Sequence, residues 1–269
     1  MTWGDSRYGG DSSAVAAKLN GSIDVTQIFS SNQVFAALRA DGSVVTWGDG
    51  RYGGDSSAVA AQLNGSIDVT QIFSTDLAFA ALRADGSVVT WGESSLGGNS
   101  SAVAAQLNGS IDVTQIFSTG YAFAALRADG SVVTWGSSSS GGNSSAVAAK
   151  LDGTIDVTHI YSTVLAFAAL RADGSVVTWG GSNYGGDSSA VAAKLDGTID
   201  VMKIYSTNFE YSGTFAALRA DGSVVTWGNS NYGGDSSAVA AKLDGTIDVT
   251  QIFSVMVKIK VTDSNYIFG

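Results

Sequence analysis

Cysteine and proline are both missing from this 269-residue chain, and histidine occurs once, at His159. Without cysteine there is no disulfide framework and no thiolate nucleophile, and nothing ties the chain to a redox compartment, so no localisation follows. Without proline there is no polyproline linker and no cis-proline step. Glutamate is almost as rare: of 24 acidic residues, Glu93 and Glu210 are the two glutamates and the rest are aspartate. Positive charge is scarce, with 14 Lys and Arg and a net charge of −10. That balance argues against nucleic-acid phosphate or an anionic membrane surface as partner; its plain reading is a solvated acidic surface. No apolar run approaches the roughly 20 residues of a membrane-spanning helix, so no membrane insertion is expected. The opening MTWGDSRYGG lacks the basic region and apolar core of a signal peptide. It begins inside a repeat, which reads as a cut from a longer chain or a permuted start.

What is abundant is repetition. The peptide FAALRADGSVVTWG stands at 35–48 and returns unchanged at 79–92, 123–136, 167–180 and 215–228. Trp-Gly pairs fall at Trp3, Trp47, Trp91, Trp135, Trp179 and Trp227, at intervals of 44, 44, 44, 44 and 48 residues. The motif SSAVAAxLxG starts at Ser12, Ser56, Ser100, Ser144, Ser188 and Ser236. A single repeat domain follows, with units at about 3–46, 47–90, 91–134, 135–178, 179–226 and 227–269. Each unit is too small to bury a core alone and must stack on its neighbours.

Within one unit, FAALRA (35–40) and VVTWG (44–48) flank Asp41-Gly42. Asp-Gly between two apolar runs predicts a hairpin with a primed turn, which needs positive φ. A Gly/Ser-rich loop follows, then AVAAQL (58–63), the turn NGSID, and VTQIFS (69–74). Alternation in the last segment puts Val69, Gln71 and Phe73 on one face and Thr70, Ile72 and Ser74 on the other. The AVAAQL segment reads two ways. The β character of the rest of the unit favours a strand. Asp-Ser before it, Asn-Gly after it, and its alanines favour a short helix.

Four strands per unit give a four-stranded antiparallel meander. The expected class is therefore all-β, a β-propeller of about six four-stranded blades; a seven-bladed or open ring is the alternative, and a β-solenoid the rival. The sixth hairpin must come from the chain ends. VKIKV (257–261) is the expected inner strand, partnered by MTWG (1–4) or by NYIFG (265–269).

The stretch VTQIFSTDLAFAALRADGSVVTWGESSLGG (69–98) resembles the regulator-of-chromosome-condensation type of repeat. The likeness rests on A-L-x-x-D-G-x-V-x-x-W-G and covers nearly the whole chain. It implies a β-propeller, seven-bladed in the best-known members. The family's founding activities are nucleotide exchange on a small GTPase and chromatin binding. Neither maps onto residues here, because no inserted wedge loop is visible and the chain is acidic. Ser-Thr-x-x-Ala-Phe replaces the family's Gly and His-Ser, and Gly-Gly replaces Gly-Gln-Leu-Gly.

Comparison of the copies within the chain locates the variation. The Asp-Gly-Ser and NGSID turns, expected at one end of each unit, are nearly constant. At the other end one loop reads DSRY, DGRY, ESSL, SSSS, GSNY and NSNY. The second reads SNQV, TDLA, TGYA, TVLA and the longer TNFEYSGT (207–214). Loops drift readily; the alternative is a recognition face tuned unit by unit. The candidate partner-binding residues on it are Arg7, Tyr8, Arg51, Tyr52, Asn183, Tyr184, Asn231 and Tyr232, with Phe209, Glu210 and Tyr211 of the insertion. Tyrosine beside Asn or Arg can anchor a protein or stack on a sugar ring. The tryptophans read as core between units, and the Asp of each Asp-Gly-Ser as turn chemistry, not a calcium loop.

No catalytic residue, metal site or cofactor is expected. His159 replaces a glutamine of the other copies, the two glutamates lie in different units, and no glycine loop opens a helix to cradle phosphate. A non-enzymatic scaffold for an unidentified protein partner is the first reading. A multivalent glycan-binding propeller is the second, and a structural module of a longer surface protein the third.

Overall fold

The computed structural model describes the chain except residues 1, 3, 210, 211, 248, 255–258 and 264–269. For 208, 209, 212, 250, 251, 253, 254 and 259–263 it describes the backbone alone. The chain falls into two compact units: Met1–Ala128 with Val133–Ser138, and Asp129–Val132 with Ser139–Gly269.

The first unit holds the strands Val25–Ser30, Val34–Arg39 and Val44–Gly48 (β1–β3), then Val69–Ser74, Ala78–Arg83 and Val88–Gly92 (β4–β6), then Val113–Ser118, Ala122–Arg127 and Val132–Gly136 (β7–β9). The second holds Val157–Ser162, Ala166–Arg171 and Val176–Gly180 (β10–β12), Val201–Phe209, Ser212–Arg219 and Val224–Gly228 (β13–β15), and Val249–Ser254 with Ile259–Asp263 (β16–β17). Each triplet is a separate three-stranded antiparallel sheet, and the last pair is two-stranded. The inner strand expected at 257–261 is found as β17, Ile259–Asp263, paired with β16, while the sixth hairpin itself is not among the described residues, since both partners expected for that strand, 1–4 and 265–269, involve residues outside the described set.

Three strands per sheet overturn the expected four. The SSAVAAxL segment is a six-residue 3-10 helix in every copy, so the short-helix alternative holds, in tighter form. An Asx turn starts it: Asp55 Oδ1 accepts from Ser57 N–H at 2.9 Å, as Asn99 does from Ser101. The alanines supply no branched side chains to hold a pleat. Leu63 ends the segment buried, and its carbonyl accepts from Val44 N–H at 2.9 Å. The segment therefore runs back along the sheet without joining it, and the turns still sort to two ends.

Two finer expectations also change. The hairpin is not a primed turn. Arg39 and Ser43 close a three-residue loop, Arg39 N–H to Ser43 O at 2.9 Å, and only Gly42 has positive φ, at 71°. A primed turn would force Asp41 to positive φ too; a type I turn with a glycine bulge avoids that cost. In VTQIFS a bulge between Val69 and Gln71 shifts the register, and the Thr70 hydroxyl donates to Leu82 O at 3.1 Å. Val69 and Ile72 consequently share one buried face, against simple alternation.

The core lies between successive sheets. In the first unit Ala36, Leu38 and Val44 of one sheet pack on Val69, Ile72, Phe79 and Trp91 of the next, and Leu63 seals the edge. Ala80 and Leu82 repeat the contact onto Ile116, Phe123 and Trp135. In the second unit Ala168 and Val176 meet Ile204, Phe215 and Trp227. With sheets on both sides, β5 is buried at every position but its final arginine, which is why FAALRA reads as an unbroken apolar run. Trp47, Trp91, Trp135, Trp179 and Trp227 each lie flat on a Phe at 5.2–5.4 Å between ring centroids. Trp135 Nε1 also donates to Gly97 O of the preceding loop at 3.1 Å. Gly97 cannot be replaced cheaply: its φ is 109°, and a Cβ there would lie 2.7 Å from the Phe123 ring.

Candidate functional site

The constant end of each three-stranded sheet is a closed set of mutual contacts. Gly42 O accepts from Val69 N–H at 3.0 Å, and Asp68 O accepts from Ala84 N–H at 2.8 Å. Asp41 Oδ1 accepts from both the amide and the hydroxyl of Ser43, at 3.1 and 2.6 Å. The Ser43 hydroxyl bond is the main cause that holds the Asp41 carboxyl below the usual carboxylate range. Arg39 Nη1 completes the group by donating to Ser43 Oγ at 3.0 Å, an arrangement repeated at Arg83, Arg171 and Arg219. The turn-chemistry reading of these aspartates describes that geometry.

At the opposite end the candidate residues sit on one-turn 3-10 helices that follow each Trp-Gly. Arg7 and Tyr8 lie on Ser6–Tyr8, Arg51 and Tyr52 on Gly50–Tyr52, Asn183 and Tyr184 on Ser182–Tyr184, and Asn231 and Tyr232 on Ser230–Tyr232. A residue with a side-chain oxygen caps three of these turns: Asp5, Asp49 or Asn229 accepts from the amide two residues on. In the first unit the cap also grips the arginine. Arg51 Nε and Nη2 reach Asp49 at 3.1 and 2.7 Å, and Arg7 reaches Asp5 in the same way. The Arg51 side-chain bond lowers the Asp49 carboxyl and is itself the main cause raising the guanidinium. So fastened, Arg51 lies 5.0 Å from the Tyr52 ring centre and Arg7 lies 5.8 Å from that of Tyr8. In each pair the arginine is exposed and the charge is internally balanced, so the pair contributes little to stability. Tyr52 and Tyr184 are half-buried against their cores, whereas Tyr8 is 52% exposed.

The second unit draws two variable loops and the insertion together. In a standard copy Thr163 Oγ1 accepts from Ala166 N–H at 3.2 Å and donates to Tyr184 O at 2.8 Å. The insertion lengthens the hairpin by register pairs Thr207↔Thr214, Asn208↔Gly213 and Phe209↔Ser212. Thr207 Oγ1 still accepts the amide, now of Thr214 at 3.1 Å. Thr214 stands where the other copies have Ala or Val, and its hydroxyl takes over the bond to Tyr232 O at 3.3 Å. Gly213 passes between the loops: a Cβ there would lie 2.6 Å from Tyr184 O, and its carbonyl accepts from Asn229 N–H at 3.0 Å. The lengthened hairpin is thus hydrogen-bonded to the Tyr232 loop and packed closely against the Tyr184 loop. The side chain of Phe209, and Glu210 and Tyr211 altogether, lie outside the described residues.

His159 sits on β10 with its ring 4.6 Å from that of Tyr161, and burial lowers its pKa. Sequence reasoning passed over one recurrent feature. Beside the outer edges of β3, β6 and β12 the bowed 3-10 segments leave grooves of about 540, 460 and 430 Å3. Each is floored by Thr46, Thr90 or Thr178 and flanked by Arg39, Arg83 or Arg171, whose Nε atoms are buried without a hydrogen-bond partner. Nothing in SSAVAAxL announces a groove, because it exists only where the expected fourth strand is replaced by a helix. Among the described residues no helix is long and apolar enough to cross a membrane.

No family model and no curated protein matches the chain. Solved structures do. The ectodomain of the receptor kinase CR4 from Physcomitrella patens is 15% identical, with 86% of this chain and 56% of that one covered at a TM-score of 0.46. Human WBSCR16 is 18% identical over 77% and 62%, at 0.47. Prp20p of Saccharomyces cerevisiae, described with its binding to Gsp1p and histones, is 18% identical over 76% and 57%, at 0.46. The chain spans about three-fifths of the length of these structures.

Proposed function

We propose that this chain is a non-enzymatic interaction scaffold of about six blade-like repeats that presents its variable loop end to a protein partner. One observation carries the reading. Five copies keep the Asp-Gly-Ser turn and the Phe-Trp stack, and the departures gather in the two loops at the opposite end, where Asp49 caps its own turn and grips the exposed Arg51. A second observation places the strongest departure. The insertion in the fifth copy lengthens a hairpin without disturbing the sheet beneath it, since Thr207 and Thr214 rebuild the standard hydrogen bonds around it. A lengthened hairpin between two tyrosine loops is the form in which a rigid scaffold carries a recognition element.

The test is a shortened chain in which Asn208–Gly213 is replaced by the Val-Leu of the fourth copy and Thr214 by Ala. Partner capture should be lost while thermal unfolding is retained. A glycan array run on the same pair separates the other class of ligand. Sugar binding by both chains, with no protein captured by either, would overturn the protein-partner reading.

A further inference from the structure

The repeats supply an internal standard for what should cover each sheet. In the second, third, fifth and sixth sheets one face is buried by the sheet before it: Ile72, Ile116, Ile204 and Ile252 are 1–4% exposed, and Val69, Val113, Val201 and Val249 are buried beside them. The cover is a face of small apolar residues at alternate positions, such as Val34, Ala36 and Leu38 over Ile72. The first sheet has the same residues at the same register positions, Val25↔Arg39 and Ile28↔Ala37, and no sheet before it in its unit to cover them. Ile28 is 62% exposed and Val25 37%, and Leu19 and Phe35 are only half-buried. Of the six exposed large apolar side chains among the described residues, these two alone share one strand face.

The last sheet is a poor match for that face. In β2 the covering positions Ala36 and Leu38 pair with Phe29 and Gln27. In β17 the register gives those places to Lys260, opposite Phe253, and Thr262, opposite Gln251. The alternate positions stay apolar, with Ile259 and Val261 in the places of Phe35 and Ala37. The final repeat thus keeps the pattern of the face that receives a neighbour and abandons the pattern of the face that covers one, as terminal repeats of stacked arrays do. At these register positions the last sheet therefore lacks the small apolar residues that cover Ile72, Ile116 and Ile204 in the other sheets.

We propose that the face of β1 and β2 centred on Val25 and Ile28 is a two-fold interface between two copies of this chain. The covering faces of the first five sheets are buried, with Ala36, Ala80, Ala124, Ala168 and Ala216 each 0% exposed. Among the described residues a second copy offers one apolar sheet face in the same exposed state, and it is this one. A face that pairs with itself closes a dimer and leaves no open end for a fibre.

The absence of cysteine makes the test clean. Light scattering of the wild-type chain at micromolar concentration should give twice the monomer mass. Ile28→Cys should form a disulfide-linked dimer on mild oxidation, and Met202→Cys, equally exposed at 62% on another sheet, should not. Ile28→Lys should leave thermal unfolding unchanged and weaken the dimer at least about tenfold, the worth of one buried aliphatic side chain. A monomeric wild-type chain would overturn the proposal, as would equal cross-linking of the two cysteine variants or a dimer indifferent to Ile28→Lys. An Ile28→Cys/Lys260→Cys chain that cross-links within itself would also overturn it, by showing that the last sheet covers the first.

Discussion

The two ends of a repeat start from one device and use it differently. At the constant end Asp41 accepts from Ser43, two residues on, and at the variable end Asp49 accepts from Arg51, two residues on. Asp41 belongs to a chain of contacts that continues through Ser43 to Arg39, while Gly42 holds Val69 of the next strand. Asp49 serves its own turn and one exposed arginine. A residue bound on several sides cannot change alone, whereas one that answers only to its neighbour two positions away can. That difference accounts for which end of the repeat is free to diverge.

Substitutions at matched places should break or sharpen the contrast. The largest effect belongs to the stack that both ends share: Phe123→Ala should cost about 3–5 kcal/mol in chemical denaturation, the usual loss for a buried aromatic ring. At the constant end Gly86→Ala should cost about 1–3 kcal/mol, because its φ is 72° and a Cβ would lie 2.6 Å from Asp112 Cα. Ser87→Ala, which strips a partner from Arg83 Nη1 and Asp85, should cost about 1–2 kcal/mol by the same measurement. At the variable end Arg51→Ala should stay within about 0.5 kcal/mol of wild type, since it removes an exposed guanidinium held by one ion pair and one ring contact.

Acid should act in the same sense at both ends. Asp41, Asp49 and Asp55 all titrate below the usual range, through the Ser43 hydroxyl, the Arg51 side chain and the Ser57 amide respectively. A depressed carboxyl stabilises the fold above its unfolded pKa of about 3.9 and loses that contribution as pH falls through the lower folded value. Stability against denaturant should therefore be level above about pH 5 and fall below about pH 4. His159 has the same sign at higher pH: its neutral form is favoured by burial, so a small loss should begin as pH falls through about 6.5, and His159→Gln should erase it.

The strands were legible from the letters because both of their faces are buried. FAALRA and VVTWG carry continuous apolar runs that suit only a sheet packed on two sides, and the observed β2 and β3 differ from the expectation by one residue at most. The SSAVAAxL segment was not legible, since its alanines suit either state and the decision rests on the Asx turn at Asp55 and on where Leu63 must be buried. The bulge at Thr70 was hidden for a similar reason: its cause is a hydrogen bond to Leu82, twelve residues away. Of the variable end, sequence comparison between copies found the loops. The Thr214 hydroxyl that ties the insertion to the Tyr232 loop is intelligible only with the hairpin in view.

The most direct test is an exchange within one chain. Glu93→Asn, Ser95→Asn and Leu96→Tyr together give the loop at 93–96 the sequence found at 229–232. If variable-end residues answer only to their own turn, the exchanged chain will unfold within about 0.5 kcal/mol of wild type, the range of surface changes away from special contacts. A loss as large as that of Gly86→Ala would show that these loops are bound into the sheet as tightly as the constant end, contradicting the account.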